Sequence, residues 1–260
     1  MSVPYRLLNP SLHQNVGKAL GALAVMTKAP RAGKVKTRLI PPLTPEEAAA
    51  LNICFLRDTT AAIFEATKSG RAAGVAVYTP VGAKDAYHEI LPENFMLLPQ
   101  RGQLFGDRLS AAAEDLFALG FETVCLINSD SPTVAPSAFA EAAQVLSRPG
   151  DRLVLGPSED GGYYLIGLKK LHRRVFEDIQ WSTEKVLKQT MERAAQLRLD
   201  VHLLPTAFDV DDRKMLHRLC DEMFGPGGRN DAVAPATRAY LAEIIEREGR
   251  DRIWPNESNA

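Results

Sequence analysis

Cysteine is scarce in this chain of 260 residues, with three in all: Cys54, Cys125 and Cys220. Their odd number, wide separation and apolar neighbours exclude a disulfide framework and mark them as reduced core residues. Histidine is nearly as rare, five in all and none at HxxxH spacing, so a zinc enzyme is not expected. No apolar run approaches the ~20 residues of a membrane helix. Residues 1–18 lack the basic-then-apolar pattern of a secretory signal, and a cytoplasmic location is expected. An excess of either charge is missing too. The 31 Lys and Arg against 32 Asp and Glu leave a net charge of −1, with no pull toward nucleic acid or an anionic membrane. There is no internal repeat and no dividing linker. One domain is therefore expected over residues 20–250, with 1–19 as an arm lying on it and 251–260 as a frayed tail.

What the chain does contain is ordinary globular material, 45% hydrophobic and 24% charged, arranged in alternation. Strands are expected at 20–27, 74–78, 95–98, 123–127, 152–155, 163–168 and 201–204. Between them lie amphipathic helices. One opens at Thr44-Pro45-Glu46-Glu47, an N-cap, a first-turn proline and a capping-box glutamate. Others are expected at about 107–119, from Pro136, after Trp181-Ser182-Thr183, after Asp209 to Asp212, and at about 235–246. Short apolar strands alternating with such helices predict an α/β fold, a mostly parallel sheet covered by helices on both faces.

The stretch Thr123 to Pro132 organises the rest. Five apolar or β-branched residues read as a strand buried on both faces, and the run stops at Asn128-Ser129-Asp130-Ser131-Pro132. Asp130 is thus placed just past the carboxyl end of a central strand, the edge where open α/β sheets bind ligands. A short carboxylate there suits a hard cation such as Mg2+ held against phosphate oxygens. The plainer alternative is a turn or helix cap.

Three other stretches carry chemistry. Lys28 to Arg38 holds five cations in eleven residues directly after the first strand: Lys28, Arg31, Lys34, Lys36 and Arg38, with Gly33 among them. Backbone N–H groups of a glycine turn together with Lys and Arg are what phosphates need, although a charge run is also what a solvated surface shows. It is neither a Walker A motif nor GxGxxG. Its cations are expected at the surface and of little consequence for folding. Asp209, Asp211 and Asp212 repel one another and suit a shared cation; a helix N-terminus decorated with acids is the alternative and accounts best for Asp212. Glu159-Asp160-Gly161-Gly162 places an acid where glycines let a ligand approach, or simply turns a hairpin. Tyr163, Tyr164 and Trp181 suit stacking on a base or sugar, or core packing.

In this order the elements resemble the GT-A, Rossmann-like nucleotide-diphospho-sugar transferase superfamily. Lys28 to Arg38 resembles the phosphate loop of 2-phospholactate guanylyltransferase. Ser129-Asp130-Ser131-Pro132 resembles the aspartate-proline motif there and in molybdenum-cofactor guanylyltransferase, and Asp209-Val210-Asp211-Asp212 the late acidic motif. More closely, Lys28-Ala29-Pro30, Gly33 to Leu39, Gly156-Pro157, Asp160 to Leu168, Trp181-Ser182-Thr183 and Asp209-Val210-Asp211 resemble a bacterial glycosyltransferase-like family. That family is associated with radical-SAM gene neighbourhoods or arsenosugar synthesis. Two features depart from the pattern. The Leu-x-Gly-Gly opening is absent, which leaves base and ribose contacts unassigned, and Asn128 stands first where a glycosyltransferase Asp-x-Asp has its acid.

The resemblance implies a Mg2+- or Mn2+-dependent transferase with a nucleotide or nucleotide-sugar donor and a small-molecule acceptor. It implies metal ligands Asp130 and Asp211, with Asp209 in reserve. Lys28, Arg31, Gly33, Lys36 and Arg38 would hold phosphate, and Asp130, Lys36 and Asp160 would serve catalysis. A non-catalytic nucleotide-binding protein of the same fold is the alternative.

Overall fold

The computed structural model describes residues 5–12, 16, 20–228 and 233–255. Eight strands form one sheet in the order β1-β4-β3-β2-β5-β7-β6-β8. They are β1 (Arg6–Leu7), β2 (Gly21–Lys28), β3 (Ala72–Thr79), β4 (Met96–Pro99), β5 (Thr123–Ile127), β6 (Arg152–Pro157), β7 (Tyr163–Leu168) and β8 (Asp200–Leu203). Only β7 runs antiparallel to its neighbours β5 and β6; every other pairing is parallel. Among the described residues there are six α-helices: α1 (Pro45–Thr67), α2 (Phe105–Ala118), α3 (Pro136–Ser147), α4 (Val186–Gln196), α5 (Arg213–Phe224) and α6 (Pro235–Glu248). Of these, α1 and α3 cover one face of the sheet and α2 and α4 the other, while α5 and α6 pack on the outer side of α1. The expected α/β class is thus observed, with β2 to β8 and the helices near where the sequence pattern placed them; β1, within the expected arm, was not among the expected strands.

The strand alternation divides two cores. Leu23 and Val25 of β2 join Leu56 and Ile63 of α1 and Phe139 of α3 on one face. Ala22 and Ala24 face Leu109, Ala112 and Leu116 of α2 on the other. The small side chains of β2 bring that second helix layer close to the sheet.

A third core lies off the sheet and positions the site. Leu51 and Phe55, on the outer stripe of α1, pack with Leu39, Val210, Leu216, Leu219, Leu241 and Ile244. Burial on two stripes explains why α1 is apolar over so much of its circumference. Its amino end has the expected capping box: Glu47 N–H donates to Thr44 Oγ1 at 3.2 Å, and Thr44 N–H donates to Glu47 Oε2 at 2.9 Å. Trp254 and Ile253 close the third core, both buried, and Arg252 Nη1 donates to Glu47 Oε1 at 3.0 Å. The part of the expected tail up to residue 255 is therefore packed, because the outer stripe of α1 needs a cover; 256–260 lie outside the described residues. In the expected arm, β1 pairs with β4 and Leu8 is buried, while 1–4, 13–15 and 17–19 lie outside the described residues.

Candidate active site

The strand order reverses at β2, since β3 and β4 extend to one side and β5 returns to the other. The crevice at the carboxyl ends of β2 and β5 is the switch point where open α/β sheets bind ligands. Four segments meet there. The basic loop leaves β2 after Lys28, and Asn128 to Ser131 follow β5. The Ser158–Gly162 turn joins the carboxyl end of β6 to the amino end of antiparallel β7. Residues 204–211 return from β8, pinned by Val210 N–H donating to the Asp130 carbonyl at 2.8 Å.

Lys36 is the centre of the crevice. It sits in left-handed backbone (φ 49°), which aims its side chain under the loop. Its ammonium lies 2.6 Å from Asp130 Oδ1 and 3.1 Å from Asp211 Oδ1, and donates to the Val210 carbonyl at 2.8 Å. Beneath it is the Phe55 ring, 5.2 Å away. The Lys36 side chain is only 5% exposed, whereas Asp130 and Asp211 are about one-third exposed. Burial alone would lower the lysine pKa; the negative charges of Asp130 and Asp211, with their hydrogen bonds, outweigh it and hold the ammonium above its ordinary value. The expectation of a surface cation fails here, because α1 and Val210 enclose the side chain. It holds for Arg38, 69% exposed, whose Nη2 reaches Asp211 Oδ2 at 2.5 Å. Lys28 Nζ turns back onto the Lys34 carbonyl at 2.9 Å.

Asp209 is held differently from its neighbours. Asn128 Nδ2 donates to Asp209 Oδ1 at 2.8 Å, and the Ser131 hydroxyl donates to the same oxygen. Burial pushes its pKa up to about 6, reinforced by the charges of Asp130 and Asp160 and only partly offset by those two hydrogen bonds. Asp212 caps α5, accepting from Met215 N–H at 2.9 Å, as the helix-terminus reading had it. Asp160 Oδ1 accepts from Gly162 N–H at 2.9 Å, closing the hairpin turn.

Two adjoining cavities share Met26, Arg38, Phe105, Asp130 and Asp211. The first, about 350 Å³, is cationic, with Lys28, Lys34, Lys36, Arg38 and Arg108 on its walls. The second, about 410 Å³, takes Asp160, Asp209, Tyr163, Tyr164 and Trp181 from the far side. Neither cavity is lined by Arg31, which is exposed, or by Gly33, which supplies a left-handed turn at φ 69°. Periodicity gave no sign of Phe105, Arg108 or Gln100. Gln100 Nε2 ties the carboxyl ends of β2 and β3 together, donating to Thr27 O at 3.1 Å and Val77 O at 2.7 Å. The only clue to Phe105 was an apolar pair, Leu104-Phe105, at a helix start where solvent is expected; both are exposed. Two glycines build the second cavity. A Cβ at Gly106 would strike the Trp181 ring, and one at Gly161 would strike the Glu184 backbone.

The chain has the nucleotide-diphospho-sugar transferase fold. A Desulfovibrio desulfuricans G20 protein provisionally named a nucleotide-diphospho-sugar transferase superposes with a TM-score of 0.76 at 28% identity, over 88% of this chain and 97% of its own. A CMP-2-keto-3-deoxy-manno-octonic acid synthetase complexed with CTP shares the fold at a TM-score of 0.50 and 11% identity, over 78% of this chain and 97% of its own. A family model described as an uncharacterized protein conserved in bacteria (DUF2064) matches residues 61–183. No curated protein matches the chain. Among the described residues no helix is long and apolar enough to cross a membrane.

Proposed function

We propose that this chain is a divalent-metal-dependent transferase that takes a nucleotide or nucleotide-sugar donor in the cationic cavity and passes a nucleotidyl or glycosyl group to a small acceptor in the adjoining one. One observation carries the reading: a buried ammonium clamped between two carboxylates at the switch point of the sheet. Charges of both signs, gathered at the floor of a cationic cavity, are what a metal-phosphate donor requires. The fold shared with a CTP-bound synthetase supports the choice of ligand class.

The residues fit a metal as a two-carboxylate set. Asp130 Oδ1 and Asp211 Oδ1, 2.6 and 3.1 Å from one nitrogen, are no more than 5.7 Å apart. Mg2+ commonly takes one or two carboxylates and completes its shell with water and phosphate. Among the described residues no three carboxylate, imidazole or thiol side chains are arranged to hold a metal together, so Asp209 acts by fixing Asn128 and Ser131 beside the pair. A divalent cation held there by Asp130 and Asp211 would neutralise charge on phosphate oxygens. Lys36 would then turn its ammonium from the carboxylates to the donor phosphates, joined by Arg38 from the exposed side. Asp160, across the second cavity, takes the acceptor proton as transfer proceeds.

The test is product analysis with purified protein, Mg2+ or Mn2+, and panels of NTPs and sugar nucleotides with candidate acceptors. Pyrophosphate release marks nucleotidyl transfer and nucleoside diphosphate release marks glycosyl transfer. Tight nucleotide binding without either product would leave a non-catalytic nucleotide-binding protein, and absence of both binding and product would end the proposal.

A further inference from the structure

The two cavities differ sharply in charge and in wall chemistry. The first has five cations against Asp130 and Asp211. Among the described residues the second has five acids, Asp130, Asp160, Glu184, Asp209 and Asp211, against Arg38 alone. Asp130 and Asp211 are matched by Lys36 and Arg38. Among the described residues no cation pairs with Asp160, Glu184 or Asp209, which leaves the second cavity with surplus negative charge.

Its apolar wall is equally specific. Trp181 stands edge-on to Phe105 with ring centroids 5.2 Å apart and to Tyr163 at 6.4 Å. Leu109, Leu126 and Ile166 line the same space. The wall is held rigidly: Leu187 N–H donates to the Gly161 carbonyl at 2.8 Å, fastening the Asp160 turn to the segment that carries Trp181 and Glu184. An aromatic wall beside unpaired carboxylates attracts cations and neutral hydrogen-bond donors, and it repels anions.

We infer that the second cavity binds an acceptor with a flat apolar or aromatic face bearing an ammonium or an uncharged hydroxyl, and that it rejects acceptors whose reactive end is a phosphate or carboxylate. A ligand of about 410 Å³ fits as a small molecule rather than a polymer. The word acceptor rests on the proposed transferase reading; the cavity's ligand preference does not.

Three probes of nearly equal shape test it: 2-phenylethylamine, 2-phenylethanol and phenylacetate, titrated calorimetrically against the full chain. The amine should bind about ten-fold tighter than phenylacetate, with the alcohol between, because one charge near partly solvated carboxylates has roughly that effect. Combining Asp160→Asn with Glu184→Gln should compress the series, and Trp181→Leu should weaken the amine and the alcohol alike. Phenylacetate binding as tightly as the amine, a series indifferent to the loss of the two acids, or no binding by any probe would overturn the inference. Nucleotide titrations run alongside separate the two readings. The amine preference without nucleotide binding would sink the transferase proposal alone, and nucleotide binding without the preference would sink this inference alone.

Discussion

Lys36→Met removes the ammonium from between Asp130 and Asp211 and from over the Phe55 ring, and keeps an unbranched apolar side chain in its place. The two carboxylates would then face each other at no more than 5.7 Å. At an effective dielectric near 20, two unit charges that close repel by about 3 kcal/mol. Breaking one side of a buried ion pair costs about 3–5 kcal/mol. Both acids are one-third exposed, so solvent screens them and a loss of about 1–3 kcal/mol is expected. The same substitution vacates the position a divalent cation would take. Thermal melts with and without MnCl2 should show a destabilised variant that recovers most of its loss with Mn2+, whereas the metal-free wild type, already neutralised by Lys36, responds less. Nucleotide affinity should fall by about 1.5–3 kcal/mol for the lost charge-assisted contact. A variant as stable as wild type without metal, or no more responsive to Mn2+, would mean that Lys36 does not neutralise the two carboxylates.

Other changes separate structure from chemistry. Asp160→Asn should abolish most turnover and leave donor affinity unchanged, since Asn-Gly keeps the turn; an active variant in steady-state assays would return Asp160 to a turn former. Glu47→Ala removes the capping-box partner of Thr44 and the acceptor of Arg247 and Arg252, and a loss of about 2–4 kcal/mol in denaturant titration is expected with the site intact. Asp209 binds its proton with a pKa of about 6 when folded, above the ordinary 3.8 of the unfolded chain. Native protein therefore holds the extra proton between about pH 4 and 6, so its contribution to stability is present at low pH and lost as pH rises through 6. In metal-free melts Asp209→Asn should flatten that fall; an unchanged pH profile would mean the carboxyl is ordinary.

The elements of this fold were legible because β2 and β5 are apolar runs long enough to be buried on both faces, and because Thr44 to Glu47 is a complete helix start. Asp130 was legible from its place after such a strand. The direction of β7 was not, since an antiparallel strand buried on both faces has the same composition as a parallel one. Lys36 was misplaced for a related reason. Charge runs are read from neighbours in sequence, but the partner that buries it, Val210, is 174 residues away. Trp254 looked like tail because the partners that bury it, Phe224 and Asp221 of α5, are some thirty residues back in the chain. Phe105 and Arg108 belong to a helix face that periodicity assigns to solvent, and only the third dimension turns that face toward the cavities.

Metal and nucleotide should bind in a coupled manner at the Asp130–Lys36–Asp211 cluster. The measurement is Mn2+ binding followed by electron paramagnetic resonance, with and without nucleotide, in wild type, Asp130→Ala and Asp211→Ala. Wild type should bind Mn2+ weakly alone and much more tightly with nucleotide, as phosphate draws Lys36 off the carboxylates. Either substitution should erase the gain, and the double substitution should cost little more than one, because the two acids act as a unit. Equal Mn2+ affinity with and without nucleotide, or an undiminished gain in both variants, would contradict the central claim.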